Sequence, residues 1–175
     1  MKSARIIIIF AAVGAAALAQ SNSKPAVEQR YYNLVDAVQH SEQLSDAELA
    51  ALASDELMRT KFSAALAGGK LTQEGLEAAA LHLCGADERD LIVIGNGGSY
   101  ATTYAGPFWI LRDLAAGPVV VLSETSLSLS TDPKRSNKCM NLETFAVTAT
   151  DGITTDYKFD GQKYVQSKQQ SVKLP

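Results

Sequence analysis

At Gly85 the spacing of the apolar residues changes, and that change constrains the fold more than any other feature of the chain. Upstream, apolar residues recur at helical intervals. Val27, Tyr31, Leu34, Val35 and Val38 form one stripe of a helix that Pro25 can open. Ser45 stands three residues before Glu48, a capping box, with Leu44 and Leu49 placed as a hydrophobic staple. Ser54, followed by Asp55 and Glu56, starts a third helix through Leu57, Met58, Phe62, Ala65 and Leu66 that stops at Gly68-Gly69. Thr72 opens a fourth, whose apolar face continues through Ala79, Ala80 and Leu83 to Gly85. Acids gather in the first turns of these helices, where the helix dipole favours them.

Downstream the runs are short and β-rich. Leu91-Ile92-Val93-Ile94 is one strand; Pro107–Arg112 and Pro118–Leu122 are two more, joined over Asp113–Gly117 as a hairpin. Ser126–Ser130 alternates strictly and is expected half buried, and Met140–Thr148 alternates again. Asp160-Gly161 separates Tyr157-Lys158-Phe159 from Gln162-Lys163-Tyr164 and predicts a type I′ turn that pairs Tyr157 with Tyr164. Two segments remain as loops: a Gly/Thr/Tyr stretch over 95–106 and a basic polar stretch over 131–138. The expected fold class is therefore α+β. About four helices occupy 20–85, an antiparallel β-meander of about six to seven strands occupies 86–168, and 169–175 is a tail.

The N-terminus stands apart from both patterns. Lys2 and Arg5 precede an apolar run from Ile6 to Ala19 that ends Ala17-Leu18-Ala19. A basic start, an apolar middle too short to span a bilayer and an A-x-A ending predict a secretory signal peptide over 1–19, cleaved after Ala19. The competing readings are an uncleaved anchor helix or a buried strand. Removing Lys2 and Arg5 takes the formal charge from −3 to −5. The mature chain is then expected in the periplasm or outside the cell, with no membrane span. Its acid lies in front: residues 20–90 carry 6 basic and 12 acidic side chains, residues 91–175 carry 8 and 7. A sequence pI near 5.4 argues against a nucleic-acid binder. Export makes a disulfide possible, and Cys84 and Cys139 are the single available pair. Their bridge would staple the two halves of the chain; the alternative is two buried thiols.

The order Asp90-Leu-Ile-Val-Ile-Gly, Gly106-Pro-Phe-Trp-Ile-Leu-Arg, Val119-Val-Val-Leu and Tyr157-Lys-Phe-Asp-Gly-Gln-Lys-Tyr164 resembles a loose group of small exported bacterial proteins of unknown function. That group shares a β-meander with a Phe-Trp strand and a closing Asp-Gly hairpin. The resemblance implies fold and compartment, and assigns no activity to any residue.

Little in the chain points to catalysis. The histidines are His40, at the end of the first predicted helix, and His82. His82 lies two residues from Cys84 on a predicted helix, so the two would face apart. Two Cys and two His show no zinc spacing, Asp151, Asp156 and Asp160 lack calcium-loop spacing, and Glu42, Glu48 and Glu56 fall at helix starts and solvated faces. The 95–106 loop matches neither a P-loop, a dinucleotide fingerprint nor a nucleophile elbow. Phe108 and Trp109, side by side in one strand, read as core. No cofactor or metal is expected. The chain reads as an exported, non-enzymatic module that binds a protein of the cell envelope or beyond. Asn96, Ser99, Tyr100 and Tyr104 of the first loop and Lys134 and Arg135 of the second are the contact candidates. The alternatives are an inhibitor of a secreted cell-wall hydrolase, in the manner of a lysozyme inhibitor, and a hydrolase working with other residues.

Overall fold

Leu91, Val93, Trp109 and Leu111 pack into one core while Ile92, Ile94, Phe108 and Ile110 pack into another. The strands that carry them are apolar on both faces, so they must lie in a sheet covered on both sides. The computed structural model, which describes residues 31–36, 38–66, 68–100 and 105–174, shows what covers them. A four-stranded antiparallel sheet runs in the order β2 (Leu76–Leu81), β3 (Asp90–Gly95), β4 (Gly106–Leu114), β5 (Gly117–Ser126). On one face lie α1 (Asp46–Ser54) and α2 (Glu56–Lys61), burying Leu52, Met58 and Phe62 against Trp109. On the other lies a five-stranded antiparallel sheet. Its order is β1 (Tyr31–Asn33), β6 (Ser128–Ser136), β7 (Cys139–Val147), β8 (Asp151–Phe159), β9 (Tyr164–Lys173). Tyr32, Leu129, Leu142 and Tyr157 fill the space between the sheets.

This overturns the expected helical half followed by a meander. The described residues hold two α-helices and nine strands in two sheets. The predicted fourth helix is β2. Alanine favours helix, but a helix with one apolar stripe cannot serve two cores. As a strand, the segment sends Leu76 and Ala78 to the helices and Ala79 and Leu81 to the second sheet. It pairs in unbroken register from Leu76↔Gly95 to Leu81↔Asp90, and that pairing overrides propensity. A division at 85/86 would fall inside this β2–β3 hairpin. His82 therefore follows a strand, not a helix.

The predicted first helix lies outside the described residues up to 30; beyond them Tyr31–Asn33 is a strand paired with β6. The Asn33 side-chain oxygen accepts from Val35 and Asp36 N–H, 2.7 Å each, a local bond that competes with helix. The signal-peptide segment lies wholly outside the described residues.

The second and third helices start where their caps stand. Ser45 Oγ accepts from Glu48 N–H at 3.3 Å and Glu48 Oε2 accepts from Ser45 N–H at 2.6 Å, the reciprocal capping box. Asp55, rather than Ser54, caps α2, accepting from Leu57 and Met58 N–H. The same carboxylate oxygen accepts from Trp109 Nε1 at 2.9 Å, which seats the indole beneath the helix pair. In the Ser126–Ser130 stretch burial does not alternate, since Ser126, Ser128 and Leu129 are all buried: the chain crosses from β5 to β6 there, and Ser126 Oγ donates to Ser128 carbonyl at 3.1 Å.

Candidate partner-binding surface

The glycine-rich loop is built for packing. Tyr100 is 2% exposed and stands among Phe62 and Trp109, ring centroids 5.9 and 6.3 Å away. Burial pushes its hydroxyl up to about 12. A Cβ on Gly95 would come within 2.8 Å of that ring and 2.6 Å of Pro107. One glycine is thus explained by the aromatic lying on it. Tyr100 is a core residue, not a surface contact. Asn96 is half-buried, its N–H donating to Gly75 carbonyl at 2.8 Å. Ser99 is exposed and, with Thr72, Glu74 and Gly97, lines an open cleft of about 470 Å³. Among the described residues, Glu74 is the single titratable group in that lining besides buried Tyr100. Tyr104 lies outside the described residues.

The second predicted loop is a hairpin. Lys134 and Arg135 belong to β6, beside a bulge between Asp132 and Arg135. Ser136 pairs with Cys139, and Asn137 (φ 46°) and Lys138 (φ 71°) make the tight turn between them. Both central residues at positive φ identify a type I′ turn, and asparagine is among the residues that tolerate it. The Asp160-Gly161 hairpin, where that turn was expected, is wider. Asp160 Oδ1 accepts from Gln162 and Lys163 N–H, 2.8 Å each, holding residues 160–163 as the loop. Those two main-chain donors keep the Asp160 carboxyl below the usual range. The expected Tyr157–Tyr164 pair gives way to Phe159↔Tyr164, with Tyr157 opposite Gln166.

The two hairpin tips meet. Asn137 Nδ2 donates to Phe159 carbonyl at 2.8 Å. This end of the sheet carries exposed cations from both hairpins, Lys134 and Lys138 from one and Lys158 and Lys163 from the other. Lys134 and Lys158 line a cleft that also holds Asp132, Glu143 and Asp156, and Lys163 lines another with Asp55 and Glu56. Arg135 is engaged internally, donating to Leu83 carbonyl at 3.0 Å and Lys138 carbonyl at 2.6 Å. Among the described residues, Lys138, Lys158 and Lys163 form no ion pair, and Lys134 approaches Asp132 only at 3.8 Å.

This end is anchored rigidly. Cys139, immediately after the turn, is disulfide-bonded to Cys84 in the connection between β2 and β3 of the other sheet. Closing the intervening loop is worth about 4 kcal/mol against the unfolded chain. Arg112 lies over the bridge, donating from Nη2 to Cys84 Sγ at 2.6 Å and from Nε to Asp90 Oδ1 at 2.7 Å, with its guanidinium 4.5 Å above the Phe159 ring. Burial pushes the Asp90 carboxyl up, against the pull of Arg112. The disulfide was expected from export and an even cysteine count; the arginine beneath it carried no signal in sequence.

Three further acids are structural. Arg89 reaches Glu42 at 2.7 Å, Glu48 at 2.8 Å and Asp113 at 2.7 Å, tying α1 to the ends of β3 and β4. Burial raises the Glu48 carboxyl, but Arg89 and Ser45 together pull it below its ordinary value. His40 is exposed at φ 54°, and exposed His82 contacts Glu88 carbonyl at 3.0 Å. Among the described residues no group of three or more His, Cys, Asp and Glu is arranged to hold a metal ion, and no helix is long and apolar enough to cross a membrane. Comparison with protein-family models, with curated proteins and with solved structures returns no match, so the functional reading rests on the residues themselves.

Proposed function

We propose that the chain is an exported, non-enzymatic protein-binding module whose partner docks on the joined hairpin tips of the five-stranded sheet. One observation carries the reading: the Asn137–Phe159 bond joins the tips of two neighbouring hairpins, which between them carry the exposed Lys134, Lys138, Lys158 and Lys163 at one end of the sheet. The disulfide and the type I′ turn hold that end in place before any partner arrives, and preorganisation lowers the entropic cost of binding. Export is supported by the basic-apolar-Ala-Leu-Ala start and by the Cys84–Cys139 bridge, which persists in oxidising compartments.

The test compares the wild-type chain with a Lys138→Glu, Lys163→Glu variant as baits in envelope extract. The wild type is expected to retain a defined partner in a salt-sensitive manner. The variant should melt at the same temperature and lose that partner. Equal retention by both baits, or none by the wild type, would contradict the proposal.

A further inference from the structure

Among the described residues β9 is the free edge of its sheet, paired with β8 alone. From Gln166 to Leu174 every side chain is exposed. The strand therefore offers solvent both faces and a row of main-chain N–H and C=O groups. Such a row accepts another strand unless something opposes it. What β9 carries against pairing is charge: Lys168, opposite Asp156 of β8 but in no ion pair among the described residues, and Lys163 just ahead, with no acid on the strand itself. Lys173, at the far end, is held by Asp151 at 3.1 Å. Two copies laid edge to edge would bring these cations together, while a strand bearing carboxylates would be drawn to them.

The other end of the edge is apolar. Val172 is 68% and Leu174 40% exposed. Val147, Gly152 and Val172 are register neighbours across three strands. The Phe145 ring lies against Gly152, where an added Cβ would come within 3.0 Å of it. The edge thus runs from cationic beside the hairpin tips to apolar at its far end, and it is continuous with the binding end described above.

We propose that β9 takes up an extended, acidic segment of another protein as one more antiparallel strand. The segment's apolar N-terminal half covers Val172 and its acidic C-terminal half runs along Lys168 toward Lys163. Main-chain bonds supply affinity, and the charge and apolar ends supply orientation. This rests on the partner-binding reading and gives its partner a chemistry.

The probe is a labelled synthetic peptide as long as β9, with Val and Thr in its first half and Glu at alternate positions in its second. It is titrated against the full mature chain by fluorescence anisotropy. Saturable binding is expected, weakened about tenfold or more when alternate amides on the pairing edge are N-methylated, and again when Glu is replaced by Lys. Lys168→Gln in the protein should weaken it similarly without moving the melting temperature. Three results would overturn the proposal: no binding at millimolar peptide, equal binding of the N-methylated peptide, or sedimentation showing that β9 is occupied by a second copy of the chain. Loss of the peptide result alone, with the envelope partner still retained through Lys138 and Lys163, removes the strand-addition proposal and leaves the wider reading standing. Failure of both experiments removes both.

Discussion

The two sheets of this protein are treated differently by their surroundings. The β2–β5 sheet is covered on both faces, and every residue of β3 is buried. Among the described residues the five-stranded sheet is covered on one face, and its last strand is covered on neither beyond Val165. The first sheet can lose little without losing the fold, whereas the second presents backbone and charge that the fold does not use. On the proposed function, stability and recognition are separated in space, joined at the disulfide where β7 is stapled to the segment after β2.

The largest effect is expected at the centre of the covered sheet. Trp109→Ala empties a fully buried site and removes the indole donor from Asp55, so chemical denaturation should show a loss of about 5 kcal/mol. A comparable substitution on β9, Val172→Ser, should change stability by less than about 0.5 kcal/mol. Similar losses at both positions would break the comparison. Replacing both cysteines by serine tests the staple: about 4 kcal/mol should be lost, read as an earlier denaturant midpoint for the variant than for the oxidised wild type.

Smaller effects separate packing from ligand-binding accounts of the glycine loop. Gly95→Ala places a methyl group against Tyr100 and Pro107 and should cost about 1–3 kcal/mol, while leaving partner retention in proportion to the folded fraction. A stable Gly95→Ala protein that lost its partner would return the loop to the binding surface. The smallest effect is pH-dependent. Glu48 has its folded-state carboxyl lowered from 4.5, so its contribution is fully present above that pH and is lost as pH falls through the lower folded value. Glu48→Gln should therefore cost about 1–2 kcal/mol at neutral pH and progressively less below about pH 4.5. A constant difference across that range would contradict the assignment.

Local signals in the sequence were legible where a side chain meets its own backbone. Ser45 with Glu48, the Asp113–Gly117 connection and the Asp160-Gly161 punctuation each mark a boundary that the fold uses. Signals that depend on the far side of a sheet were not. Ala78 and Ala79 are adjacent in sequence but serve opposite cores, so β2 shows no polar/apolar alternation and reads as helix. The Asp160 side chain, by capping two main-chain donors, widens a turn whose dipeptide predicts a tight one. At the candidate site, Lys134 was identified while Lys138, Lys158 and Lys163 were not. That they share one end of the sheet follows from the order in which two hairpins pair, and no pattern within either hairpin encodes it.

Native-state hydrogen exchange, resolved strand by strand with and without the acidic peptide, tests the central claim most directly. Amides of β4 should exchange only through global unfolding, and the peptide should leave them unchanged except for its linkage to overall stability. Outward-facing amides of β9 should exchange rapidly in the free protein and slow markedly when peptide is bound. Amides of β9 already as protected as those of β4, or unaffected by the peptide, would contradict the separation of stability from recognition.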